Sequence, residues 1–371
     1  MQFTFNEEQD QLRATAQKFL ADKSPTVEVR RIMATTEGYD PAVWTQLSSE
    51  LGFTATHIPE AYGGLGLSYA ELGIVFEEMG RSLLCAPFFA TSLAATAVMN
   101  VATESEKSDL LPNIATGNRI ATFAVFETAG KWGSDSIKLS AENNRLNGIK
   151  RYVLDGHIAD LLIVVARTND GNESDGIGFF LIDGNAPGLR RRLVNTVDAT
   201  RKLSELEFVD VTARRLGGDG DQTAKLEATL DLAAIALANE MVGGAQRLVD
   251  ETVKYAVERI QFGRAIGSFQ AIKHKCADML LDVEMAKSAA YYAAAAAASH
   301  DPELPALASL AKASASEAFT RIAAECIQIH GGIGFTWDND THLWFKRAKS
   351  SEVFFGDPTY HKEQLINRWQ H

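Results

Sequence analysis

The chain has 371 residues, 46% hydrophobic and 23% charged, with 36 basic against 48 acidic side chains and a formal net charge of −12. At roughly 150 residues per domain this predicts about two to three domains, large enough to bury cores without disulfide or metal staples, and the composition excludes disorder of the whole chain. So negative a surface repels phosphate backbones, which argues against nucleic acid as the main partner.

Three cysteines, Cys85, Cys276 and Cys326, stand outside any CxxC pair. That excludes a disulfide scaffold or a Cys-rich zinc site and suits a reducing compartment. The start, Met1-Gln2-Phe3-Thr4-Phe5-Asn6-Glu7-Glu8, has neither a basic nor an apolar targeting region, so a cytoplasmic location is expected.

The first third reads as helical. Phe5, Leu12, Ala16, Phe19 and Leu20 recur near helical spacing, with Asn6 as N-cap. The glycines of Pro59-Glu60-Ala61-Tyr62-Gly63-Gly64-Leu65-Gly66 break the helices. A helix is expected from about Tyr69 to Arg81, and more to about Gly117. Residues 82–103 carry no charge, but Pro87, Asn100 and the hydroxyl residues there favour a buried helix pair over a membrane span.

From Ile120 to about Val211 the pattern changes. Residues 122–126, 151–154, 161–166, 178–182 and 203–209 read as strands, punctuated by Gly133, Asn147-Gly148, Asp155-Gly156 and Asp183-Gly184. No helix-length segment separates them, which predicts an antiparallel sandwich or barrel. After Leu216-Gly217-Gly218 the chain turns helical again, with a long helix over 226–258 and an alanine run, 293–298, that reads as a close helix contact.

Three constellations could carry chemistry. Arg259-Ile260-Gln261-Phe262-Gly263-Arg264, with Gln270 beyond, sits at a helix break. Arginine there suits phosphate, and an ordinary loop with solvated arginines is the alternative. Gln328-Ile329-His330-Gly331-Gly332-Ile333-Gly334 has glycines that admit a ligand close to the backbone, yet it matches neither the dinucleotide fingerprint nor a phosphate-binding P-loop. Gly133-Ser134-Asp135 and Asn147-Gly148-Ile149-Lys150-Arg151-Tyr152 each read separately as turns. Cys326 and His330 are four apart but lack a third metal ligand nearby, so no metal is expected. No Gly-x-Ser-x-Gly elbow supports a hydrolase.

In this order, on a helix–strand–helix plan, these elements resemble the acyl-CoA dehydrogenase family over essentially the whole chain. Pro59-Glu60-x-Tyr62-Gly63-Gly64-x-Gly66 is similar to its N-terminal signature. Gly133-Ser134-Asp135 and Asn147-Gly148-x-Lys150 are similar to its β-domain elements, and Arg259-x-x-Phe262-Gly263 with Gln270, then Gln328-x-x-Gly331-Gly332-x-Gly334, to its flavin-binding elements. The resemblance implies an α+β multidomain fold: an all-helical N-terminal domain (1–118), a central β-barrel domain (119–214) and a C-terminal four-helix bundle (215–371). It implies FAD, an acyl-CoA substrate, an electron-transfer flavoprotein as acceptor, and a homo- or hetero-oligomer. Arg259, Phe262 and Gln270 would serve the adenine-diphosphate half of a FAD held by a partner subunit, with Gln328, Gly331 and Gly332 along the same cofactor. Phe123, Val125, Phe126 and Ser134 would line the flavin or the acyl-CoA, and Tyr152 would sit against the isoalloxazine. The implied chemistry is α,β-dehydrogenation in lipid or steroid degradation.

The chain departs from the pattern at the base. The usual Tyr-Glu-Gly-Thr segment reads Phe354-Phe355-Gly356-Asp357, and the other family position, on the long helix, is Ala233. Glu240 lies seven residues after Ala233, about 20° from the same helix face. It resembles a position used by branches acting on bulky or steroid-like acyl chains, and is the expected catalytic base, with Asp357 a distant second. The hydroxyl of a usual Trp-Ile-Thr is lost in Tyr152-Val153-Leu154, and residues 126–133 form a loop two residues longer than usual. The alternatives are a non-catalytic subunit that completes a FAD site in a heteromer, and an elimination on the same fold.

Overall fold

The computed structural model describes residues 5–168 and 176–369. Its helices are α1 (Glu7–Lys23), α2 (Thr26–Met33), α3 (Pro41–Thr45), α4 (Tyr69–Ser82), α5 (Phe88–Val101) and α6 (Glu104–Ala115). Strands follow: β1 (Ala121–Ala124), β2 (Ser140–Glu142), β3 (Arg145–Leu154), β4 (Leu161–Thr168), β5 (Gly176–Asp183), β6 (Leu189–Val194), β7 (Leu203–Thr212) and β8 (Arg214–Leu216). Then come α7 (Thr223–Glu258), β9 (Ile260–Gln261), β10 (Arg264–Ala265), α8 (Gln270–Ser299), α9 (Leu304–His330), α10 (Thr341–Val353) and α11 (Pro358–Trp369).

The chain forms two compact units. One comprises residues 1–30, 69–84 and 234–371, the other residues 31–68 and 85–233.

In the first unit α1 begins where its capping chemistry places it. Asn6 Oδ1 accepts from the Gln9 N–H at 2.8 Å, and Gln9 Oε1 accepts from the Asn6 N–H at 3.1 Å, so both orphan donors are satisfied. The helix is tied down by Arg13, whose Nη1 reaches Glu77 at 2.8 Å and Glu78 at 2.9 Å on α4. The alanines of α8 at 293, 294, 296 and 297 are buried, as a close helix contact requires.

The second unit holds an eight-stranded sheet ordered β6-β7-β3-β2-β4-β5-β8, with β1 beside β4. Of the expected antiparallel sandwich or barrel, a closed barrel is not found among the described residues: the sheet is open, with β6 and β8 at its ends, mostly antiparallel, but with β1 and β2 parallel to β4. Hairpin-type turns signalled antiparallel neighbours, but β1 and β2 run the same way as β4, and only β3 reverses between them. The short strands β2 and β8 and the arginine-rich β6 (Leu189-Arg190-Arg191-Arg192-Leu193-Val194) escape the sequence pattern because they bury little. The uncharged stretch 82–103 holds one helix rather than two: Pro87 delays it, and α5 then buries twelve of its fourteen residues. Among the described residues no helix is long and apolar enough to cross a membrane.

One buried group predicts acid sensitivity. His57 is 5% exposed, with Nε2 3.1 Å from Thr96 Oγ1, and burial pushes its pKa down to about 4. The unfolded chain takes up this proton first, so stability is lost as pH falls from about 6.5 to about 4. The expected loss is about 3 kcal/mol from this site. Melting curves from pH 7 to pH 4 should show a steeper decline for the parent than for His57→Leu.

Candidate active site

In the first unit Glu240 occupies an apolar stretch of α7 and is 5% exposed. Its Oε1 lies 2.5 Å from Arg347 Nη1 on α10, and both side chains are buried. The backbone around it is tightly packed: a Cβ built on Gly80 of α4 would stand 1.9 Å from the Glu240 carbonyl oxygen. The Trp344 indole N–H donates to the Gly80 carbonyl at 3.2 Å. Glu240 is therefore an ion-pair partner of Arg347.

In the turn at 354–357 position 355 is an apolar ring, and Asp357 is the carboxylate. Phe355 is buried at φ +58, edge-on to Phe354 with ring centroids 4.4 Å apart. Two buried cation or imidazole donors hold the turn: Lys312 Nζ reaches the Gly356 carbonyl at 2.9 Å and the Ser316 hydroxyl at 2.9 Å, and His361 Nε2 lies 2.9 Å from the Phe355 carbonyl. Asp357 accepts the Tyr360 N–H at 2.8 Å and so caps α11. Sequence reasoning missed Lys312, whose burial inside α9 has no local sequence signal. It also missed Asp231, 6% exposed on α7 in the second unit, although a carboxylate in Leu230-Asp231-Leu232 was a visible anomaly.

The C-terminal ends of α7 and α9 adjoin, because the Tyr255 and His330 rings stack at 4.1 Å. This brings the two expected flavin elements of the first unit together. Phe262 and Gly263, at φ +52 and +75, form the two-residue turn of the β9–β10 hairpin. Phe262 is 91% exposed at its tip, and Arg259, Gln270 and Gln328 are also exposed. A Cβ added at Gly263, Gly331 or Gly332 would meet nothing within 4 Å. Open glycine backbone, an exposed aromatic ring and exposed arginine and amide donors fit a dinucleotide, which has planar rings and phosphates. His330 Nδ1 lies 2.8 Å from the Cys326 carbonyl, burial pushes the Cys326 thiol up to about 12, and among the described residues no group of three His, Cys, Asp or Glu side chains is placed to hold a metal ion.

The remaining expected residues lie in the second unit. Phe123 stacks on Phe179, with centroids 5.8 Å apart, while Val125 and Phe126 are buried just beyond β1. The Phe126 carbonyl accepts the Arg151 N–H at 2.7 Å, which sets Phe126 beside β3. Tyr152 is half-buried at φ +57, at an irregularity in β3–β7 pairing between Lys150 and Val153. Ser134 is half-buried in the loop before β2, where its carbonyl accepts from Arg167 Nη2 at 3.0 Å.

The chain belongs to the acyl-CoA dehydrogenase family. Its residues 6–118, 123–211 and 223–369 match the family's N-terminal, middle and C-terminal domains. It is 35% identical to acyl-CoA dehydrogenase IpdE2 of Mycobacterium tuberculosis, over 95% of this chain and 94% of that protein. Among solved structures it is similar to butyryl-CoA dehydrogenase from Megasphaera elsdenii, with a TM-score of 0.92 and 25% identity over all of both chains. It is also similar to the Tcur3481–Tcur3483 steroid ACAD, with a TM-score of 0.89 and 30% identity over 98% of each chain. The protein is accordingly an oxidoreductase acting on acyl-CoA, and its cofactor is FAD.

Proposed function

We propose that the chain dehydrogenates a bulky, steroid-like acyl-CoA thioester between its α and β carbons, in the cytoplasm, and passes the electrons to an electron-transfer flavoprotein. The observation that carries this reading is Glu240, the sole charged residue between positions 232 and 244, buried on the helix that leads to the Phe262 hairpin. The likeness to a steroid ACAD supports the bulky substrate. Three domains, 1–118, 119–214 and 215–371, the last built around a four-helix bundle, form the framework.

Bound FAD would supply the acceptor for the β-hydrogen, which leaves the substrate as hydride. Glu240 takes the α-proton, exchanging its bond to Arg347 for the new O–H. Arg259, Phe262 and Gln270 would serve the adenine-diphosphate half of a FAD held mainly by a partner subunit, with Gln328, Gly331 and Gly332 along the same cofactor. Phe123, Val125, Phe126 and Ser134 would line the flavin or the acyl-CoA, and Tyr152 would sit against the ring system. The exposed ring of Phe262 supports an oligomer in which a second subunit shares the cofactor.

A second reading is favoured by the Glu240–Arg347 pair itself. Here Glu240 is structural, Phe355 replaces the base, and the chain completes the FAD site of a different subunit that supplies the carboxylate. Anaerobic titration with straight, branched and steroid-like acyl-CoAs separates the two. Glu240 as base predicts that Glu240→Gln retains FAD but reduces it at least about 100-fold more slowly. Reduction at the parent rate would overturn that assignment and leave the heteromer reading.

A further inference from the structure

Lys150 is fully buried, and the reaction described above does not use it. Its Nζ donates to the Val125 carbonyl at 2.7 Å and to Glu127 Oε1 at 2.6 Å. The next residue continues the clasp. The Arg151 N–H donates to the Phe126 carbonyl at 2.7 Å, and Arg151 Nη1 to the Glu127 carbonyl at 3.2 Å. Three successive carbonyls, at 125, 126 and 127, are thus held by two adjacent residues of β3.

Glu127 is occupied on both oxygens. It also accepts the N–H groups of Lys138 and Leu139, at 2.8 and 3.0 Å, and so closes the loop over 127–139 at its base. On the other side of Lys150 the β3–β7 register slips, and Tyr152 takes its positive φ. One ammonium therefore sits between the segment of Val125 and Phe126 and the bulge that carries Tyr152. An ion pair taken out of water is weak evidence for stability, since an apolar side chain of similar volume often serves as well. What an apolar chain lacks is a donor that fixes a carbonyl and a carboxylate at once.

We propose that Lys150 is a positioning residue for the flavin, setting the spacing between the 125–127 segment and Tyr152. This rests on the reading that Val125, Phe126 and Tyr152 line the ring system. The charge on Lys150 is also sensitive to pH. Burial pushes its pKa down to about 8, and Glu127, the charged group facing it, raises it only in part. The Arg151 guanidinium is engaged with Glu205 at 2.9 Å. Above about pH 8 the clasp loses its ammonium, and the flavin environment changes with it.

The test uses the FAD-loaded protein. The visible spectrum of the bound flavin is followed from pH 6 to pH 10 in the parent, Lys150→Met and Glu127→Gln. The parent should show a spectral transition near pH 8. Lys150→Met should lose that transition and bind FAD at least about tenfold more weakly, a change of about 1.4 kcal/mol. Glu127→Gln removes the facing negative charge and should move the transition to lower pH, which keeps the proposal testable if Lys150→Met does not fold. A transition that stays in place in either variant overturns it. Tyr152→Leu tests the underlying reading separately: if it leaves the spectrum unchanged, the assignment of Tyr152 to the flavin fails. If it shifts the spectrum while Lys150→Met does not, only the role of Lys150 fails.

Discussion

Replacing Arg347 with methionine should destabilise the protein by about 3–5 kcal/mol, because it strands the Glu240 carboxylate in a buried site without its guanidinium. The side chains of both partners are only 6% exposed, so water cannot take over the role of the lost partner. The double variant Glu240→Leu/Arg347→Met removes both charges together. It should recover much of the loss, since replacing a buried pair with apolar residues is often neutral or stabilising. Urea unfolding of the parent, Arg347→Met and the double variant measures both effects. A loss under about 1 kcal/mol in Arg347→Met would mean that the pair contributes like a surface bridge. The same variants bear on the reaction. A double variant as stable as the parent that no longer reduces FAD supports Glu240 as base, whereas unimpaired reduction makes Glu240 structural.

Gly80→Ala is expected to be at least as damaging, at about 3 kcal/mol or more. The added Cβ would meet the Glu240 carbonyl oxygen at 1.9 Å, and backbone cannot step aside as a side-chain tip can. The crossing of α4 and α7 is reciprocal: a Cβ on Gly243 would stand 1.8 Å from the Glu77 carbonyl oxygen. Two glycines thus bring the helix backbones together, and either substitution must push them apart. Gly73→Ala on the same face should be milder, because its new Cβ meets the Asn239 side chain at 3.1 Å rather than backbone. Thermal melting of the three variants ranks them, and a Gly80→Ala protein that melts within about 2 °C of the parent contradicts the packing argument.

Local chemistry was the legible part. Asn6 caps α1 with Gln9, as its position before Glu7 and Glu8 suggested, and α7 ends beside a Phe-Gly turn whose glycine adopts positive φ freely. Short apolar runs located β4, β5, β7 and the end of β3, because these strands bury most of their side chains, whereas Asn147-Gly148, read as a turn, lies inside β3. Pairing was not legible: β1 lies parallel to β4 across thirty-six intervening residues, and no local pattern encodes that choice. At the candidate site the glycine and arginine motifs could be read because a ligand that approaches backbone needs those residue types in a fixed order. The partners of Glu240, Lys150 and Phe355 could not. Arg347 is 107 residues from Glu240, and Lys312 reaches the Gly356 carbonyl from 44 residues away.

The sequence by itself determined the helix–strand–helix plan, the family resemblance and the absence of an acidic residue at positions 233 and 355, because these depend on residue type and spacing alone. Only the tertiary structure decided that Glu240 is buried against Arg347, that the sheet stays open among the described residues, and that Lys150 clasps the 125–127 segment. Those outcomes depend on which groups burial brings within hydrogen-bond reach. A buried charge takes whatever partner the packing of distant segments supplies.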